Sequence, residues 1–314
     1  MLTLELETSL GGESMKSEII EVENKLNTPS KVAKRNGPWK DVWKRLKRSK
    51  MAILGLMIII TLMLIALFAD YIAPYPYDRQ DLMNTFQSPS SENLFGTDEF
   101  GRDILSRVIY GSRVSLLVGF IAVGIALVIG GFLGAISGYY GGRVDNLIMR
   151  IMDVLLAIPS MLLAISIVAA LGPGLTNLMI AVGISSIPTY ARTVRAAVMS
   201  IKGMEYIEAS KVSGSKDIRI IFKHIIPNSL APVIVQSTLG VAGAILTAAG
   251  MSFIGLGIQP PNPEWGAMLS GGRAYIRDYS YMTMFPGIAI MITILALNLL
   301  GDGLRDALDP KLKN

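Results

Sequence analysis

The chain has one histidine, His224, and no cysteine. That removes multi-histidine metal centres, cysteine-ligated metals, disulfide frameworks and cysteine nucleophiles from consideration. No Gly-x-x-x-x-Gly-Lys-[Ser/Thr] loop is present, so nucleotide phosphates have no familiar cradle. No row of acidic residues or histidines runs through the apolar segments, which argues against a proton relay. These residue types imply no cofactor and no catalysis by this chain. The segment with a job is instead polar: residues 201–227, IKGMEYIEASKVSGSKDIRIIFKHIIP, set between two long apolar runs. Its residues suit gripping another protein.

The spacing in that segment predicts helix, glycine break, helix, proline stop. Residues 204–212 are helix-compatible, and Gly214 supplies a left-handed C-terminal turn. Ser215 is expected to cap a second helix, with Asp217 in its first turn. That helix should run to about Ile225, where Pro227 should end it. Ile218, Ile221 and Phe222 should share one apolar face, and Glu208 should be a polar anchor toward a partner or within the segment. His224 alone is weak as a ligand, and a structural hydrogen bond suits it better. Lys202, Lys211, Lys216, Arg219 and Lys223 place the segment on the cytoplasmic side.

The elements that must hold this segment are apolar helices. Hydrophobic residues make up 51% of the 314 and charged residues only 17%, where a soluble domain carries about 25%. Six charge-free runs are long enough to cross a bilayer: 51–69, 114–137, 154–171, 175–191, 230–251 and 282–301. The fourth is the shortest and contains Pro188. Gly172-Pro173-Gly174 makes runs three and four a hairpin. With the N-terminus inside, 23 of the 29 Lys and Arg residues fall on cytoplasmic segments. Both ends are therefore expected inside, and the net charge of +5 reflects topology rather than nucleic-acid binding.

The polar first 50 residues hold no secretory apolar core. Residues 1–30 read as disordered, and Met15 is a plausible alternative start. The basic cluster Lys44–Lys50 reads as a topology determinant at the inner leaflet. On the outside, residues 94–113 should form an amphipathic helix capped by Thr97 or Asp98, with Ile104, Leu105, Val108 and Ile109 on the membrane interface. Residues 252–281, with three prolines and Trp265, suggest a re-entrant or surface hairpin.

Within the runs, Gly130, Gly134 and Gly138 make overlapping Gly-x-x-x-Gly spacings, and Gly119 and Gly124 extend the small stripe. Helix packing is the expected use. Arg150 and Asp153 should pair at i,i+3, and Asn298 should act as interhelical glue. Pro159, Pro188 and Pro286 can kink their helices.

The order Glu208-Ala209-Ser210, three residues, Gly214, then His224-Ile225-Ile226-Pro227 resembles the EAA loop of ABC importer permeases. Residues 94–116, 141–163 and 252–273 resemble one branch, the second permease subunit of dipeptide, oligopeptide and nickel importers (OppC/DppC type). The resemblance covers essentially residues 40–310. It implies an all-α polytopic membrane protein of six transmembrane helices in the cell membrane. It divides the chain into a tail (1–50), a first helix with an outer segment (51–113), a core (114–303) and a C-terminal tail (304–314).

The partners it implies are a second permease, two ATPase subunits and an extracytoplasmic binding protein that delivers a peptide. Glu208, Ala209, Gly214, Ile218, Phe222, His224 and Pro227 would then form the ATPase-coupling surface. Glu264 and Trp265 would face the binding protein or the outer vestibule. A nickel or other small-solute importer of the same family is the alternative. A stand-alone secondary transporter would need an inverted repeat or midplane ion sites, and neither is visible.

Overall fold

The computed structural model describes residues 38–309. The expectations for residues 1–30 and for a start at Met15 lie outside these, as does the tail beyond Asp309. The chain divides into two compact units, residues 1–41 and 42–314. Of the first, only the opening of a helix is described. That helix, α1, is Pro38–Leu46.

The described residues are helical, with no strand beyond a single bridge between Thr97 and Asp103. After α1 come α2 (Lys50–Leu67), the short α3 (Ala69–Ile72) and α4 (Ile104–Tyr140). Then follow α5 (Gly142–Leu156), α6 (Ser160–Leu171) and α7 (Leu175–Lys202). The loop between α7 and α10, expected to be an inner loop, contributes α8 (Glu205–Val212) and α9 (Asp217–Ile220). The remaining helices are α10 (Ile226–Phe253), α11 (Trp265–Gly272) and α12 (Tyr281–Leu308).

Among the described residues, four helices are long and apolar enough to cross a membrane: α2, α4, α10 with its α9 lead-in, and α12. The pair α5–α6 is a fifth if counted as one span, bent by 86°. Pro159 sits at the break, where it cannot supply the amide that would carry α5 into α6. The expected straight third crossing is therefore broken. α7 was expected as the fourth, yet polar side chains such as Asn177, Ser185, Ser186 and Thr189 dilute its apolarity. It packs against α4, α6 and α10, and a helix surrounded by protein needs no continuous apolar coat.

Glycine sets the closest approach in the bundle. A Cβ on Gly130, Gly134 or Gly138 would lie 2.6, 2.4 or 2.9 Å from the carbonyl oxygens of Ile187, Ala191 and Arg195. The Gly-x-x-x-Gly stripe thus brings the backbones of α4 and α7 together. A Cβ on Gly119 would instead meet the Ile245 side chain of α10, at 2.7 Å, and Gly124 faces open space and does not belong to the stripe. The central core joins Val118, Ala122 and Ala126 of α4 to Leu178 and Val182 of α7 and to Ile245 and Met251 of α10.

Three polar expectations change. Asn298 is exposed on α12, with no hydrogen-bond partner for its side chain among the described residues. Asp153 pairs with Arg192 of α7 rather than with Arg150, because α5 packs alongside α7. The helix begun near residue 94 does not exist separately: α4 starts at Ile104, capped by Asp103, whose Oδ2 accepts from the Ser106 amide at 2.7 Å. Ile104 and Ile109 are buried inside the protein, not spread on an interface.

Candidate functional site

The inner loop folds as a helical pair with two different sides. α8 carries Glu205 and Glu208 in its first turn, where carboxylates complement the helix N-terminus. It ends in a Schellman motif. The Gly214 amide donates to Lys211 O at 2.9 Å and the Ser215 amide to Ser210 O at 3.2 Å. Gly214 has φ +75°, the left-handed conformation that favours glycine. The next helix starts one residue later than expected. Lys216, not Ser215, occupies its N-cap, and no side chain caps it.

Pro227 does not stop that helix. α9 runs through a π-helical turn at Ile221–Ile225 into α10, which places Pro227 in its own first turn. In the widened turn the Ile226 amide donates to Ile221 O, five residues back. The register change ahead of the proline lets the chain continue without the proline's missing amide. The same widening explains a second correction. Ile221 turns inward and is buried, while Ile218 and Phe222 stay outside.

The inward side is an apolar clamp. Ile207, Ile220, Ile221 and Ile225 pack on Val194, Val198 and Ile201 of α7 and on Val233 of α10. Tyr139, at the C-terminal end of α4, holds both short helices. Its hydroxyl donates to Asp217 Oδ1 at 2.6 Å, and the Lys211 ammonium lies 5.6 Å from its ring centroid. A second brace lies nearby. Arg195 of α7 grips Asp145 of α5 through Nε and Nη2, both at 2.6 Å, and Ser137 donates to the same carboxylate.

The outward side is apolar and uncovered. Val212, Ile218 and Phe222 are 90%, 70% and 65% exposed. Glu208, Ala209, Gly214 and Pro227 are exposed as well. His224 is half-buried, and its backbone carbonyl accepts from Asn228 Nδ2 at 2.6 Å. The structure therefore brings Glu208, Ala209, Gly214, Ile218 and Phe222 onto a single inner loop.

Glu264 and Trp265 lie elsewhere and are interior. Glu264 is 2% exposed and Trp265 1%, so neither side chain can itself meet a docked protein. Glu264 caps α11, its carboxylate accepting from the amides of Gly266 at 2.9 Å and Ala267 at 2.8 Å. Burial holds its carboxyl above the ordinary carboxylate value, against the pull of those donors and of Ser252 and Ser115. The Trp265 indole donates to Val108 O at 3.0 Å and lies against Gly111, where a Cβ would meet the ring at 3.0 Å. This pair fastens the proline-rich segment to α4.

Sequence reasoning missed a buried ionic cluster beside it. Arg102 Nε meets Asp98 Oδ2 at 2.6 Å, and Arg107 donates to Tyr77 O at 3.0 Å and Pro261 O at 3.3 Å. Arginines just ahead of an apolar run read as surface charges, so nothing local announces their burial.

Residues 130–314, which carry the inner loop, match the family described as the binding-protein-dependent transport system inner membrane component. This chain belongs to that family of ABC importer permeases. Residues 37–89 of the permease also match the N-terminal transmembrane domain of oligopeptide transport permease C. The permease is 53% identical over 277 residues to the dipeptide transport system permease protein DppC of Alkalihalophilus pseudofirmus, covering 88% of this chain and 91% of that one. It is 47% identical to the di/tripeptide transport system permease protein DppC of Pseudomonas aeruginosa, over 88% and 93% of the two chains. It is 45% identical to the glutathione transport system permease protein GsiD of Pectobacterium atrosepticum, over 88% and 92%.

Among solved structures, an inward-facing MetNI methionine ABC transporter shares the fold with TM-score 0.55 at 18% identity, covering 66% of this chain and 98% of that one. The permease is accordingly a multi-pass, non-catalytic transport component of the cell membrane.

Proposed function

We propose that this permease is one of two membrane subunits of an ATP-driven importer of short peptides. The two would each form half of the translocation pathway, and an extracytoplasmic binding protein would deliver the solute. Two ATPase subunits would drive the cycle through residues 201–227. The names of the relatives in Alkalihalophilus and Pseudomonas support peptides over nickel. Both chain ends lie inside in this reading. The six crossings are α2, α4, the bent α5–α6 pair, α7, α10 and α12.

The observation that carries the reading is the two-sidedness of the inner loop. Its buried face is clamped to α4, α7 and α10, and its free face presents Val212, Ile218 and Phe222 to a partner. Exposed apolar groups of this size on a firmly anchored element suit protein docking. A loop clamped this way moves as one body with its helices, so closure of the ATPases is passed to the bundle.

Reconstitution tests the proposal. The permease with its partner permease, ATPases and binding protein should take up dipeptide in proteoliposomes only with ATP. The permease alone should take up none. Uptake by the permease alone on an ion gradient would overturn this reading in favour of a secondary transporter.

A further inference from the structure

Between the middle of α7 and the middle of α10 lies an open groove of about 410 Å³, reached also by Ser160 at the start of α6. That volume falls within the range of about 300–1,000 Å³ seen for small-ligand sites. Its walls differ from the exposed faces of α2 and α4. α4 turns Phe120, Val128 and Phe132 outward, and α2 turns Met57, Ile60 and Met63 outward, all apolar. The groove instead presents Ser186 and Thr189 of α7 and Gln236 and Thr247 of α10.

The four α10 positions Gln236, Gly240, Gly243 and Thr247 are spaced by four, three and four residues and so share one helix face. Among the described residues, the side chains of Thr189, Gln236 and Thr247 have no hydrogen-bond partner. The Ser186 hydroxyl donates to Val182 O at 2.9 Å, which leaves its oxygen free to accept.

Unsatisfied polar groups facing lipid are expensive, so this face needs water or a polar occupant. The glycines shape it. A Cβ at Gly240 would lie 2.2 Å from the Tyr190 hydroxyl, which donates to Gln236 O at 3.3 Å and forms the floor. A Cβ at Gly243 would meet nothing within 4 Å. Space is thus kept clear over the floor.

We infer that this groove is the wall this chain gives to the translocation pathway, and that it receives the main-chain amides of a passing peptide. The inference rests on the importer reading and adds the surface and the chemistry. None of the lining residues is charged. Neutral hydroxyl and carboxamide groups can donate to peptide carbonyls and accept from peptide amides whatever the side chains are. With no carboxylate, imidazole or thiol in the lining, the groove offers a bare metal cation no strong ligand.

The absence of cysteine allows a direct test. Single cysteines at Thr189, Gly243 and the outward-facing Val128 are introduced into the assembled importer in vesicles. A hydrophilic maleimide should label Thr189→Cys and Gly243→Cys in at least one nucleotide state. Dipeptide delivered by the binding protein should slow that labelling, and Val128→Cys should stay unreactive. Silence of both groove cysteines in every nucleotide state would overturn the inference and make the groove a packing face.

Gly243→Trp adds a second arm, since its side chain enters open space. It should abolish dipeptide uptake while binding-protein-stimulated ATP hydrolysis persists, and undiminished uptake would again overturn the inference. Uptake by the unmodified assembly judges the importer reading separately. If that assembly moved no peptide while both groove cysteines labelled, the water-lined groove would stand and the peptide importer would fall.

Discussion

The Tyr139 hydroxyl stands 2.6 Å from Asp217 Oδ1 and joins the C-terminal end of α4 to the second helix of the loop between α7 and α10. A hydrogen bond to an ionised acceptor contributes about 1.5–3 kcal/mol. Tyr139→Phe removes this one while keeping the ring beneath Lys211. The variant should insert and assemble normally. Its inner loop should exchange amide hydrogens faster than the wild type, and ATP hydrolysis should be less tightly linked to uptake. Unchanged exchange across residues 205–225 would remove Tyr139 from the anchoring role.

Gly214 has a φ of +75°, a conformation that is sterically costly for other residues. An L-residue in that conformation costs about 1–2 kcal/mol. Gly214→Val adds branching at Cβ and should reduce binding-protein-stimulated ATP hydrolysis more than Gly214→Asn. Asparagine tolerates the left-handed region better. Equal activity of the two variants would count against the Schellman turn as the determinant.

The α4–α7 contact predicts an unusually sharp response to a single methyl group. A Cβ at Gly134 would sit 2.4 Å from a backbone carbonyl oxygen, which no rotamer change can relieve. Gly134→Ala should destabilise the permease by about 1–3 kcal/mol through overpacking. Gly124→Ala, placed in open space, should be neutral or slightly stabilising through helix propensity. Thermal unfolding in detergent compares the two. Equal melting points would contradict the close approach.

Burial holds the Glu264 carboxyl above its ordinary value, and the sign of its effect on stability follows. The folded state binds the proton more tightly than the unfolded state does. The resulting contribution is fully present below the unfolded value of about 4.3 and is lost as pH rises through the folded value. Glu264→Gln should flatten this part of the pH dependence of melting. It should also lose about 1 kcal/mol of capping at α11. A Gln variant that keeps the wild-type slope would assign the titration to another group.

Much of the inner loop was legible because its signals are local. Gly214 marks a left-handed turn, and residues 204–212 read as helix ahead of it. Two of the errors there share one cause. A π turn at Ile221–Ile225 departs from the 3.6-residue period, so Ile221 moves inward and Pro227 falls in a first turn instead of ending a helix. Gly130, Gly134 and Gly138 were readable as a packing stripe because their spacing alone places them on one face. The partners of Glu264 and Trp265 were not readable. Their burial depends on Gly111, Ser115 and the Val108 carbonyl, which only the folded chain brings alongside. The bend at Pro159 was foreseeable as a kink, but its 86° size was not.

The central claim is that the uncovered face of residues 201–227 seats the ATPase subunits. Cysteine crosslinking tests it most directly, since the chain has no other cysteine. Ile218→Cys and Phe222→Cys, each in the assembled transporter with a short homobifunctional linker, should crosslink to an ATPase subunit carrying a cysteine in its docking cleft. The yield should change between nucleotide-free and ATP-bound states. Ile207→Cys, on the buried face, should not crosslink. Capture of the partner permease or of lipid alone by positions 218 and 222, in both nucleotide states, would contradict the account.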